Sequence, residues 1–286
     1  MTPDAPVKIV TDSACDLPRA LLEAYDIRIV PLVVYLDSEE LADPLLDPDT
    51  FWAEVTRRQA RPSTAAPAPG TVAEVIGPLV EQGHQVLALT LSSRLTGVYE
   101  SFRVAAQAFP GRVEVFDTQS LSLGEGVQVL EAARMASKGA TLPQLCAMLR
   151  DIRPRVHLQA VLDTLAWAER GGRIAYLMPI IRRATRLFNV KVLLRVEDGL
   201  VHYMGSARSL QGAIHVLEKR TLSLAPVTRL LIPHTRQHQL AESLADRLAP
   251  ALNLRRKDVI VQEAGPILSA HVGPGVIGTV VVSAAG

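Results

Sequence analysis

The sequence predicts an α/β chain, with a first part built on a mainly parallel sheet and a second part of α+β character. Three observations carry this reading. Through residue 138, short apolar runs alternate with stretches whose apolar residues recur at helical spacing, the pattern of parallel strands joined by crossover helices. Beyond Pro154 that alternation gives way to antiparallel signals, above all Glu197-Asp-Gly199 set between two apolar runs. The charge balance also reverses, from 11 basic and 19 acidic residues through Pro143 to 19 and 10 after it. Two domains are therefore expected, 1–153 and 154–286.

Each element has its own signal. Val7 to Val10 is a short strand ending in Thr11-Asp12-Ser13, and Asp16-Leu-Pro18 announces a helix with proline near its first turn. Residues 27–36 form a second apolar run that Pro31 places at an edge or bends. After a hairpin-like excursion over 37–46, Asp47 caps a helix from 48 to about 59. The segment Arg61-Pro-Ser-Thr-Ala-Ala-Pro-Ala-Pro-Gly70, with three prolines, reads as a stiff irregular loop carrying Ser63 and Thr64. Helix over 71–81, strand 86–91, helix 98–109, strand 113–116 and a helix from about 122 to 138 complete the alternation. A helix over 141–152 closes the first part. The second part reads as strand 156–162, a short helix, the paired glycines of Glu169-Arg-Gly-Gly-Arg-Ile174, a hairpin over 190–204, helix 209–224, strand 229–232, helix 236–252, strand 258–262 and a last strand over 276–282.

In a parallel sheet ligands bind outside the carboxyl ends of the strands, where Thr11-Asp12-Ser13, Ser92-Ser93 and Asp117-Thr118 fall. The densest group is Leu91-Ser-Ser-Arg-Leu-Thr-Gly97, which leads into a helix. Hydroxyls and unpaired amides there suit an anion, although an ordinary N-cap uses the same residues. No G-x-G-x-x-G follows the first strand and no G-x-x-x-x-G-K-[ST] occurs, so the sheet is Rossmann-like without a nucleotide loop. His271-Val-Gly-Pro-Gly275 reads as a histidine on a rigid loop between two strands. The seven basic and no acidic residues from Arg170 to Arg195 are either a solvated face or a docking patch.

Composition excludes several classes. With 48% hydrophobic residues in 286 the chain can bury a full core, and no apolar run approaches the roughly 20 residues of a membrane span. The opening MTPDAPVKIVTDS lacks a basic region followed by an apolar core, so a cytoplasmic location is expected. Cys15 and Cys146 stand alone, which argues against a zinc site and a disulfide framework. A net charge of +1 and 4% aromatics argue against nucleic-acid binding.

The motifs TDSACDLP, RPSTAAPAPG, LSSRLTGVYES, FDTQSLSLGEG, DTLAWAERGGRI and AHVGPGVIG, in this order across nearly the whole chain, resemble the DegV family of bacterial fatty-acid-binding proteins. The resemblance implies a fatty acid, such as palmitate or stearate, lying between a Rossmann-like N-terminal domain and a C-terminal α+β domain, with no cofactor and no metal. Its carboxylate would be held by Thr64, Ser93, Arg173 and His271, with Ser92, Thr96 and Gly97 beside them. It further implies that the protein is a carrier, not a catalyst, which presents its cargo to the ATP-binding subunit of a fatty acid kinase, with Arg208 and the basic residues from 170 to 195 as the docking site. At most transient membrane contact, for lipid exchange, is expected. Lys191-Val192 stands where the family often has Lys-Pro, and the segment SARSLQGAI around Arg208 is less basic than is common. The competing reading from the residues is a serine hydrolase in which Ser93, His271 and Asp12 act as nucleophile, base and orienter, although LSSRLTG is not a G-x-S-x-G elbow.

Overall fold

The structure is a computed structural model that describes residues 6–41, 47–170, 174–184 and 190–285. The chain opens on β1 (Val7–Asp12), turns through a single 3-10 turn into α1 (Arg19–Ala24), and continues as β2 (Arg28–Val30) and β3 (Val33–Leu36). Pro31 and Leu32 break the apolar run into strands that belong to different sheets. β4 (Glu39–Glu40) pairs back on β3, and α2 (Pro48–Arg58) starts at Asp47, whose carboxylate accepts the Thr50 N–H at 3.1 Å. The proline-rich segment expected to be irregular contains a strand, β5 (Pro62–Ala65), antiparallel to β3. Pro62 occupies its first position and β5 is an edge strand, so the missing amide costs no ladder bond.

Then come α3 (Pro69–Glu81), β6 (Gln85–Thr90), α4 (Val98–Ala106), β7 (Val113–Asp117), α5 (Leu123–Ala136) and α6 (Leu142–Ile152). The rest of the chain forms β8 (Val156–Leu162), α7 (Ala166–Arg170), α8 (Met178–Ala184), β9 (Lys191–Glu197), β10 (Leu200–Ala207) and α9 (Leu210–Leu222). It ends with β11 (Val227–His234), α10 (His238–Ala251), β12 (Ile260–Glu263), α11 (Pro266–Val272) and β13 (Val276–Ser283). Contrary to the loop read from the sequence, His271 lies on the last turn of α11. Pro266 and Gly273 bracket only seven residues, too few to display a helical repeat.

A four-stranded parallel sheet has the order β2-β1-β6-β7, and a six-stranded sheet the order β10-β9-β8-β13-β11-β12. The second is antiparallel except for β11 and β12, which pair in parallel. Both faces of the parallel sheet are covered. Val10, Val86 and Ala88 pack with Ile76 of α3 and Phe102 of α4, while Ile9, Leu87 and Leu89 pack with Leu130 of α5 and Leu145 of α6. In the six-stranded sheet, Val161, Leu230 and Ile232 pack with Leu217 of α9 and Leu244 of α10. Leu158, Leu231 and Val280 belong instead to the cluster that contains α5. α5 is therefore apolar contact surface for both sheets, and nearly every residue from Leu123 to Ala133 is buried. A Cβ at Gly126 would collide with the Cys15 carbonyl oxygen, so glycine alone permits this approach.

Burying α5 also buries Glu125. Its Oε1 accepts from the Thr11 hydroxyl at 2.9 Å, beside Asp12, whose oxygens accept the N–H groups of Ala14 and Leu91. Asp16 accepts from the Ser122 hydroxyl at 2.5 Å and from the Gly265 N–H at 2.8 Å. Burial pushes Asp12 up to about 7 and Asp16 up to about 6, and burial together with Asp12 holds Glu125 well above the carboxylate range. Among the described residues no helix is long and apolar enough to cross a membrane, and both cysteines are buried and free.

Two expectations follow from these features. The folded chain keeps a proton on Asp12 at a pH where the unfolded chain releases it, so this group favours folding below its ordinary value of 3.8 and loses that contribution as pH rises toward about 7. The stability of wild type minus that of Asp12→Asn, from urea unfolding at a series of pH values, should fall between about pH 4 and 7; a flat difference would remove the protonated cluster. Gly273, which ends α11 at φ 73° and ψ −174°, occupies a region essentially reserved for glycine, and a Cβ there would strike the Trp167 ring. Gly273→Ala should cost about 1–3 kcal/mol in the same assay, whereas Gly70→Ala, where nothing lies within 4 Å of the new methyl, should be near neutral.

Candidate functional site

An apolar cavity lies between the two larger sheets, enclosing about 1270 Å³ of atom-free space, its open mouth included. β8, β9 and β13 supply one wall through Leu158, Ala160, Leu162, Leu194 and Gly278. Leu32, Leu91, Leu95, Leu121 and Ile267 face it from the other side. The alternation of strand residues explains the first wall: Leu158, Ala160 and Leu162 are two apart and share a face of β8.

Polar groups enter at a few points. Thr64 stands on β5 opposite Val34, and its Oγ1 shares a 2.7 Å hydrogen bond with Nε2 of His271, 207 residues along the chain. When His271 carries the Nε2 proton, Thr64 is the acceptor and its own hydrogen is left for a ligand. Thr96 lies just before α4, and its Oγ1 accepts the Val98 N–H at 3.1 Å, so its hydrogen is likewise left to donate. Two hydroxyl donors and an imidazole thus line a cavity whose remaining surface is largely hydrocarbon. Such an arrangement suits an amphiphile with an anionic or strongly accepting head.

The other residues singled out in the sequence have different places. Ser93 is exposed and does not line the cavity; its hydroxyl donates to Asp117 at 2.5 Å and its N–H to the other oxygen of the same carboxylate. Ser92 is buried, donates to the Gly199 carbonyl at 2.7 Å, and receives the Arg94 N–H. Gly97 is exposed and faces open space. The serine pair therefore joins the carboxyl ends of β6 and β7 to the β9–β10 turn, a structural use of the hydroxyls. Arg173 lies outside the described residues, as do the side chains of Arg170, Arg182, Arg183 and Arg186. Of the same basic run, Lys191 is bridged to Asp163, and Arg195, which also lines the cavity, to Glu197, each at 2.7 Å. Arg208 is exposed between β10 and the Ser209 cap of α9. The hydrolase arrangement does not form: Ser93 is bonded to Asp117, His271 to Thr64, and Asp12 to backbone amides.

Three cavity residues were not foreseen. Ser122, at φ 51°, is pinned by its bond to Asp16. Thr235 donates to the Gly273 carbonyl at 2.7 Å and accepts the Val276 N–H at 3.0 Å, which ties the end of β11 to the turn after α11. His234 is 1% exposed, and burial pushes it down to about 4, so its imidazole is neutral at physiological pH. Pro-His-Thr at the end of an apolar strand is one more polar strand end, the same signal that marked Thr11, Ser92 and Asp117.

Comparison with known proteins agrees in extent with this architecture. Residues 6–284 match the family described as "Uncharacterised protein, DegV family". A DegV domain-containing protein of Deinococcus radiodurans is 33% identical over 276 residues, covering 95% of this chain and 96% of the relative. A DegV family protein from Thermus thermophilus, described as binding fatty acid, superposes with a TM-score of 0.86 at 30% identity, over 98% of this chain and 100% of the other. A stearic acid-binding protein from Eubacterium ventriosum shares the fold, with a TM-score of 0.83 at 22% identity over 96% and 98% of the two chains. The cavity and its polar residues are therefore features of a chain that belongs to the DegV family.

Proposed function

We propose that this protein binds a long-chain fatty acid of the palmitate or stearate class, with the carboxylate at Thr64, Thr96 and His271 and the acyl chain along the apolar wall of β8, β9 and β13. The observation that carries the reading is the hydrogen-bonded pair Thr64 and His271 set, with Thr96, into a cavity lined mainly by hydrocarbon. The fatty-acid binding described for the Thermus thermophilus protein supports it. Burial of the chain contributes about 0.8 kcal/mol per methylene, on the order of 10 kcal/mol for a long acid, and a charged hydrogen bond about 1.5–3 kcal/mol. The hydrocarbon drives binding and the polar end orients it. Arg173 belongs to the proposal through the family resemblance, as the guanidinium that counters the carboxylate. Ser93 enters it through its bond to Asp117, which holds the loop carrying Thr96.

The proposal extends to a carrier role, with domains 1–153 and 154–286 enclosing the acid and a fatty acid kinase as the partner that phosphorylates it. Arg208, exposed at the start of α9, is the proposed centre of docking.

Lipid extracted from the purified protein should contain a fatty acid by mass spectrometry, and delipidated protein should melt lower and recover on adding palmitate. Thr64→Val and His271→Ala should each weaken palmitate binding by about 1–3 kcal/mol in a fluorescence displacement assay, and Ser93→Ala by less. Unchanged affinity in both Thr64→Val and His271→Ala would move the head group elsewhere. Arg208→Glu should slow phosphorylation of the bound acid by a fatty acid kinase, more at low salt than at high, while palmitate affinity stays as in wild type. Wild-type phosphorylation at every ionic strength would end the docking role.

A further inference from the structure

A second cleft adjoins the apolar cavity across Leu158, Arg195 and Val196, which line both. It encloses about 1100 Å³ of atom-free space, its mouth included, and is polar where the first is apolar. It forms where the loop after β7, the end of α6, the first half of β8 and the end of β9 meet, and three guanidiniums border it: Arg150, Arg153 and Arg195. Among the described residues the Arg150 side chain makes no hydrogen bond and no ion pair. Arg153 lies over the Phe116 ring, 5.1 Å from its centre, and gives one N–H to the Asp117 carbonyl at 3.0 Å. That anchoring fixes the plane of its guanidinium and leaves further N–H groups for a ligand. Two carboxylates share the border, Glu197 and Asp198, and Glu197 is taken up by Arg195.

Gln159 adds an independent observation. It lines this cleft from β8, is 8% exposed, and its Oε1 has no partner among the described residues. A buried acceptor without a donor costs free energy, and the cost is removed by a ligand that brings an O–H. The guanidiniums call for the opposite, an anion with several acceptor oxygens in a plane that matches their fork. A phosphate that carries a hydrogen, or that sits on a hydroxylated molecule, meets both demands; sulfate meets only the second. We propose that this cleft is a second ligand site, for inorganic phosphate or a small hydroxylated phosphate monoester, separate from the fatty-acid cavity.

The test is isothermal titration of the full chain with inorganic phosphate, glycerol 3-phosphate and sulfate at matched ionic strength, repeated on variants. Saturable binding of phosphate or of the ester is expected, with sulfate weaker by about tenfold for the lost hydrogen bond to Gln159. Whichever of phosphate and glycerol 3-phosphate binds more tightly identifies the source, and either supports the site. Arg150→Gln and Arg153→Gln should each weaken binding by about tenfold or more while palmitate affinity is unchanged, and Gln159→Leu should abolish the preference over sulfate. Absence of saturable binding by both phosphate probes, sulfate binding as tightly as phosphate, or full affinity in Arg150→Gln would overturn the proposal. Arg150 is exposed at the end of α6, so its variant tests the site without burdening the core.

Discussion

Everything in this molecule leans on the burial of α5. A surface helix needs one apolar stripe, but α5 has the parallel sheet on one side and the six-stranded sheet on the other, and it is buried almost all round. That placement explains the choice of residues. Gly126 lets the Cys15 backbone come close, and Val127 and Leu130 fill the space between the sheets. The cost is a carboxyl group that cannot reach water. Glu125 is accommodated by a hydroxyl from Thr11 and by staying protonated, next to two further buried carboxyls. One of these, Asp16, in turn holds both Ser122 at the start of α5 and the amide of Gly265 before α11. The acid cluster thus connects the packing of the central helix to the helix that carries His271.

Much of this was legible in the sequence because it depends on neighbours along the chain. The parallel order of β1, β6 and β7 follows from strand and helix alternation, the starts of α2 and α9 from Asp47 and Ser209, and the β9–β10 hairpin from Asp198-Gly199. What was illegible depends on partners far away. Ser93 and Thr96 are equally good hydroxyls on one loop, and only Asp117 on the next strand decides that Ser93 is spent on structure while Thr96 faces the cavity. Ser63 and Thr64 sit in a segment whose three prolines hide a strand, and the pairing of β5 with β3 is what fixes Thr64 in place. α11 is hidden for a different reason: its seven residues run straight into the glycine and proline that end it.

The strand-end rule pointed to a region that borders the cavity but did not assign its roles. Of the polar ends of β1, β6 and β7, Asp12, Ser92 and Asp117 bond to one another's loops and to the β9–β10 turn. They close the crevice instead of reaching into it. The groups that do reach in come from an edge strand, the loop before α4, the end of β11 and the last turn of α11. In this fold the carboxyl ends of the parallel strands serve as a clasp between sheets.

The hydrogen bond between Thr64 and His271 spans 207 positions of the chain. While the protein is being synthesised, Thr64 and Thr96 leave the ribosome long before α11 exists. A chain that has completed only its first part offers an incomplete polar end, and the wall of β8, β9 and β13 is missing as well. If the proposed fatty acid is the ligand, its capture discriminates between finished and unfinished molecules: it rewards the last segment to be made, and a truncated product that retains only the parallel sheet would lack the proposed site.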